Sequence, residues 1–208
     1  MSAIIKNWFN IIIRLPIIAA ICFFLMQTCC NLSLKGFFVP QNNIYQTVLI
    51  DSRFTDREVK LIIGVTEEWS IKTHGVVKYN IITGFDVEMY HQLDSSRTVL
   101  VIFKMSKDDD YIKVQDAKIG NSALGYFDNT GIGPIIAIVS DRLLFASDEY
   151  YFGLIIHEFS HALGLDHSEK EGTVMYPTMD KSAMHLTTSD IRQFCKVYMC
   201  SKSNFESK

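Results

Sequence analysis

The chain has 208 residues, 48% of them hydrophobic, which suffices for one domain with a real core and argues against two. Net charge is −3. The first 30 residues carry Lys6 and Arg14 but no acid, so the rest holds 18 basic and 23 acidic residues, or −5. A mildly acidic domain has no electrostatic footprint for nucleic acid, and that class of partner is excluded.

The N-terminus reads as an export signal. Lys6 and Arg14 give a positive start, and residues 15–26 form an apolar run of twelve, fitting a signal-peptide core and short for a membrane span. The alternative is an uncleaved anchor over residues 8–26, with Asn10 and Arg14 at the interface. Cys29 and Cys30 stand where a lipoprotein carries its lipidated cysteine, although Met26, Gln27 and Thr28 fit a lipobox poorly. Residues 1–30 are therefore expected to be a signal peptide or membrane anchor. Residues 31–46, with Gly36, Pro40, Gln41, Asn42 and Asn43, read as a linker, and residues 47–208 as one exported domain, secreted, periplasmic or held at a cell surface.

The β-branched run 47–51 reads as the first strand. Thr55 and Glu58 then form a capping box, with Phe54 and Val59 as its hydrophobic staple. Val59, Ile62, Ile63, Thr66 and Trp69 follow at helical spacing and give one apolar face to lay on a sheet. Gly64 costs that helix about 1 kcal/mol relative to alanine without breaking the pattern. Gly75 ends it, and residues 76–82 and 98–105 read as the next strands. Lys107, Asp108, Asp109 and Asp110 make an acidic loop. Residues 122–127 read as a strand in which Gly125 permits close backbone approach. A turn over 129–134 leads to a strand at 135–139.

The next helix, capped by Ser147 or Asp148, buries Phe152, Ile155, Ile156, Phe159 and Leu163, and carries the chemistry on its other side. His157 and His161 are four apart, so both project from one face and can reach one ion. Glu158, one step round from His157, can touch a water on that ion without ligating it. Gly164 supplies the left-handed position that stops the helix, and the reversed chain can return His167 as third ligand. Three imidazoles leave one coordination position of zinc open, as catalytic sites require. Near the C-terminus, Cys195 and Cys200 either pair, which requires the last helix to end between them, or remain two thiols.

His157, Glu158, His161, Gly164 and His167 spell HExxHxxGxxH, and Val174, Met175, Tyr176 and Pro177 follow closely. This pattern is the metzincin signature. With Ser168 directly after His167 and Pro177 two after Met175, the chain resembles the matrixins, the matrix-metalloproteinase-type branch, over residues 47–200. The resemblance implies an α+β, zincin-like catalytic domain: a twisted, mostly parallel sheet with an antiparallel edge strand, an active-site helix and a C-terminal helix. It implies one catalytic Zn2+ on the three histidines, with Ca2+ as a second possibility at the acidic loop, where exposed loop charge is the plainer reading. The histidine grouping of the family's second, structural zinc is not present. Neither is a PRCGxPD-like propeptide segment.

By the same resemblance, Leu124, Gly125 and Tyr126 belong to the edge strand that pairs with an extended substrate. Met175 places its side chain beneath the zinc ligands. Tyr176, Pro177 and Met179 belong to the wall of the pocket for the substrate side chain after the scissile bond, with Met179 where matrixins usually have tyrosine. His185 faces that pocket or solvent. Asp190 aligns with the carboxylate that steadies the methionine turn, and Thr187 or Thr188 caps the last helix. The function implied is a zinc endopeptidase acting outside the cytoplasm on extended protein or peptide segments, with Glu158 as general base. The alternatives are a catalytically silent, surface-anchored peptide-binding protein of the same fold, or a zinc hydrolase of a non-peptide bond.

Overall fold

The computed structural model describes residues 47–92, 99–120, 122–129, 133–178 and 183–200. The readings made on the N-terminal apolar run, on Cys29 and Cys30, on the linker and on Met179 lie outside the described residues.

Five strands make one sheet: β1 (Thr47–Asp51), β2 (Asn80–Phe85), β3 (Val99–Met105), β4 (Gly125–Asp128) and β5 (Ile135–Val139), in the spatial order β2-β1-β3-β5-β4. Every pairing is parallel except the last, where β4 runs antiparallel to β5 with Gly125 opposite Ile138 and Asp128 opposite Ile135. This is the α+β arrangement with an antiparallel edge strand that the sequence implied. Parallel strands need both faces covered, and the alternation of side chains sorts them accordingly. Val48, Ile50, Leu100, Ile102, Ile136 and Ile138 enter the main core. Leu49, Val101 and Phe103, and separately Ala137 and Val139, form two smaller clusters on the opposite face.

Helix α1 (Asp56–Lys72) starts at the expected capping box, with Thr55 N and Oγ1 donating to Glu58 Oε2 at 2.7 and 2.8 Å. Ile62, Thr66 and Trp69 are buried as the periodicity requires, with Val65 rather than Ile63 completing the face. Gly64 has a definite role. A Cβ there would lie 3.2 Å from the Phe152 ring, so the glycine lets α1 approach the active-site helix. Lys104 Nζ donates to Glu58 Oε2 at 2.7 Å. Burial pushes the Glu58 carboxyl up, but Lys104 and the Thr55 N–H and hydroxyl outweigh it, and the net pKa falls below the usual range.

Two expectations are corrected. The strand read over 76–82 begins only at Asn80, because Thr73 Oγ1 takes the Val77 N–H at 3.1 Å and the chain turns there with Val77 buried. The acidic segment 107–110 leads into a helix that periodicity did not reveal, α2 (Asp110–Ile119), closed by Gly120 at φ 66. Its only buried residue is Ile112, too little for an apolar stripe to show in the sequence. The carboxylates of that segment serve the protein: Asp109 Oδ2 accepts from Ser106 N at 2.8 Å, and Asp110 pairs with Lys113.

The active-site helix is α3 (Asp148–Ala162) and the last is α4 (Thr188–Tyr198). Thr187 caps α4 in a box with Asp190, and Met199 at φ 49 ends it so that Cys195 and Cys200 form a disulfide. No helix of the described residues is long and apolar enough to cross a membrane.

Candidate active site

Ser147 is the cap that starts α3, its Oγ accepting the Tyr150 N–H at 3.2 Å. Ile155, Ile156, Phe159 and Leu163 lie fully buried below, which fixes the rotation of the helix and turns His157, Glu158 and His161 toward the opposite side. The helix stops where glycine permits it. Gly164 has φ +80, and its N–H donates to His161 O at 2.8 Å. The returning chain brings His167 Nε2 to 3.2 Å from His161 Nε2, and one ligand atom from each of the three histidines lies within 4.8 Å of the others.

The donor set fits zinc. Val174 O lies 2.5 Å from His157 Nδ1, and Leu165 O lies 2.8 Å from His161 Nδ1. A carbonyl only accepts, so each Nδ1 carries the proton and each Nε2 presents a lone pair inward. Two nitrogens bound at about 2.0–2.1 Å to a tetrahedral ion stand roughly 3.3 Å apart, close to the separation of the His161 and His167 Nε2 atoms. Burial holds His157 down at about 4, only partly opposed by the Val174 carbonyl, and lowers His161 as well. Both are neutral, metal-ready imidazoles at pH 7. Among the described residues this is the only group of His, Cys, Asp and Glu side chains that converges closely enough to hold an ion.

The third ligand loop is tied down along its length. Leu165 N donates to Ser160 O at 3.0 Å, Ser168 N donates to Met175 O at 2.8 Å, and Gln193 Nε2, from α4, donates to Asp166 O at 2.7 Å. Met175 is fully buried, one residue past the carbonyl that orients His157. The support expected from Asp190 takes another form. Its Oδ2 accepts the Thr187 N–H and hydroxyl at 2.8 and 2.6 Å, capping α4, while the buried Oδ1 has no hydrogen-bond partner among the described residues. His185 takes the solvent alternative: its side chain is 69% exposed and does not line the cleft. Its Nδ1 lies 2.7 Å from Glu68 Oε2 on α1, and Leu186 N donates to Glu68 Oε1 at 2.7 Å.

A cleft of about 570 Å³ opens over the histidines, with Leu124, Gly125, Tyr126 and Phe127 on one side and Pro177 and Thr178 on the other. Tyr176, expected in the wall, does not line it, because the turn that bonds its N–H to Thr173 O holds it half-buried elsewhere. Tyr150 and Leu154 do line it. The sequence reading missed both, although Leu154 stands one turn before Glu158 on the same helix and helical spacing alone could have found it.

Glu158 is 6% exposed and lies directly beneath the edge strand. A Cβ on Gly125 would lie 2.9 Å from Glu158 Cγ and 3.0 Å from its Oε1, so the close approach that this glycine allows is to the carboxyl group. Burial pushes Glu158 up to about 8, opposed by the Phe127 backbone N–H.

A helix bearing two histidines around a glutamate, a third histidine beyond a glycine and an open strand edge above them define a zinc metalloprotease-type domain. The family comparison agrees. The family model described as Matrixin matches residues 58–199, and the chain belongs to the matrixin family, whose members use a catalytic zinc. It is 30% identical over 105 residues to macrophage metalloelastase of Oryctolagus cuniculus, a match covering 48% of this chain and 22% of that protein. The crystal structure of metalloproteinase-II from Bacteroides fragilis matches with TM-score 0.45 and 15% identity, over 73% of this chain and 52% of that one. The chain thus spans about a fifth of the curated relative that it matches.

Proposed function

We propose that this protein is a zinc endopeptidase that cuts extended protein segments outside the cytoplasm. The single observation that carries the reading is that Glu158 lines the same cleft as the three converging histidines, so close under β4 that a Cβ on Gly125 would meet its carboxyl. Held by His157, His161 and His167, zinc supplies a Lewis acid and an acidified water.

The chain's own groups do the rest. The open edge of β4 offers backbone N–H and C=O groups that pair with an extended peptide without reading its side chains. Leu124, Gly125 and Tyr126 thereby set the scissile carbonyl over the histidines. Glu158 takes the proton of the attacking water and returns it to the leaving amine. Its burial favours the protonated form, which suits a group that must hold the proton between those two steps. Pro177, Thr178, Leu154 and Tyr150 shape the pocket for the neighbouring substrate side chain. Met175 forms the apolar floor of the site, and the N-terminal run directs export, with or without retention as an anchor.

Glu158→Ala tests the reading. The variant should bind zinc as tightly as the wild type and cut a generic unfolded protein at least ~100-fold more slowly, the usual range for loss of a general base. Wild-type turnover in this variant would remove Glu158 from the mechanism. A zinc-loaded wild type that binds extended peptides and cuts none would favour the silent binding protein.

A further inference from the structure

Among the described residues the edge strand β4 has one hydrogen-bonded neighbour, β5, and residues 124–127 line the cleft. A four-residue strand held from one side only is poorly determined in position, since short edge strands fray and slip. Yet this strand must stay within contact distance of Glu158. Leu124 and Phe127 pack on the main core and Tyr126 on a smaller apolar cluster, and further ties come from polar groups outside the strand.

Side chains of α2 reach both ends of the strand. At the far end, Tyr111 OH and Gln115 Nε2 donate to Asp128 Oδ2 at 3.0 and 3.3 Å. At the near end, Asp116 accepts from the Tyr126 hydroxyl and from both terminal nitrogens of Arg142, with Nη1 at 3.1 Å. Arg142, from the 3-10 turn Ser140–Arg142 that follows β5, also donates through Nη1 to Ala123 O. The Ala123 N–H points at the Tyr126 hydroxyl at 3.4 Å. The backbone of Ala123 is therefore held on both its donor and its acceptor by one cluster. The ion pair itself is largely shielded, with side-chain exposures of 16% for Arg142 and 21% for Asp116. The forked guanidinium is suited to this, because one planar group fixes a carboxylate and a carbonyl at once.

We propose that Arg142, with Asp116 and the Tyr126 hydroxyl, is a positioning device for substrate: it fixes the entry to β4 so that the free edge of the strand is preformed to receive a peptide. None of the three touches the reacting atoms. The inference rests on the peptidase reading for its activity measurements, but it has a binding readout that does not. Asp116 is held down at about 2 by Arg142 first and Tyr126 second, so the cluster stays charged at neutral pH.

The test uses the full chain loaded with zinc, as wild type, Arg142→Met, Arg142→Lys and Tyr126→Phe. Cleavage of a quenched extended peptide gives KM and kcat. Binding of the same peptide, fluorescently labelled, to each variant in a Glu158→Ala background gives Kd, and competition with a chelator gives zinc affinity. Arg142→Met should raise KM and Kd roughly tenfold, with kcat within about twofold and zinc affinity unchanged, as expected when preorganisation and not chemistry is lost. Arg142→Lys should recover part of the loss and not all, because it keeps the charge without the fork. If Arg142→Met does not fold, Tyr126→Phe carries the test, with an expected rise in KM and Kd of about threefold from one hydroxyl. Unchanged Kd in folded variants, or equal losses for Met and Lys, would overturn the proposal. A wild type that binds the peptide and never cuts it would overturn the peptidase reading alone.

Discussion

The two walls of the cleft are built from different materials. The wall that carries the histidines is apolar: α3 rests on Ile155, Ile156, Phe159 and Leu163, all fully buried, and its polar ties run to backbone carbonyls that cannot change charge. The opposite wall, β4, is tied from outside by Asp116, Asp128, Arg142 and two tyrosines. Ligand geometry must survive changes of solvent, and a packed core with carbonyl partners gives that. On the proposed function, the wall that meets the substrate is instead set by charged groups, whose strength depends on salt.

The largest effect should follow from removing a ligand. His161→Ala should lose tight zinc binding and drop turnover at least ~1,000-fold, to the level of a chelated wild type, as read by metal analysis and peptide cleavage. If this variant keeps its zinc, the histidine wall is not the metal wall. Next comes the point where the walls meet. Gly125→Val puts a branched side chain into the 2.9 Å contact with Glu158, and turnover should fall by about 100-fold with zinc content unchanged. A loss confined to KM would mean that the glycine serves substrate and not the carboxyl group.

Acid should distinguish the walls. Because Asp116 titrates at about 2 when folded, against an ordinary value near 4, the folded state binds fewer protons there than the unfolded state does. Its stabilisation is complete above the ordinary value and disappears as pH falls through the window down to about 2. Melting temperature should therefore fall across that window in the wild type, and fall less in Arg142→Met, whose Asp116 has lost its main partner. Equal slopes would show that the cluster is not coupled to folding. The smallest effect tests the histidine wall at its most exposed member. Gln193→Leu removes the side chain that bonds Asp166 O, and zinc Kd should rise about three- to tenfold while the melting temperature of the metal-free chain stays within a few degrees.

The same contrast explains what could be read in the sequence. The histidine wall is local: two histidines one helical turn apart, a glycine at the helix stop and a methionine turn within twenty residues, so short-range spacing was enough. The capping box at Thr55 and the strands at 47–51 and 135–139 were legible for the same reason. The other wall depends on contacts between residues 10 to 26 positions apart that join α2, β4 and the turn after β5, and no local pattern announces them. Helix α2 was missed because it buries a single residue, and Tyr176 was misplaced because pocket walls were assigned by motif position and not by the turn that orients them.

The segment between Ser168 and Met175 is closed at its base by the Ser168 N–H on Met175 O, while Val174 O is committed to His157. Its tip, Glu169 to Glu171, is exposed. That closure separates the tip from the histidine cluster, so an insertion there is expected to leave the three ligands in place. Residues 169–171 are thus a natural seat for a grafted epitope or reporter, beside a centre that tolerates little change.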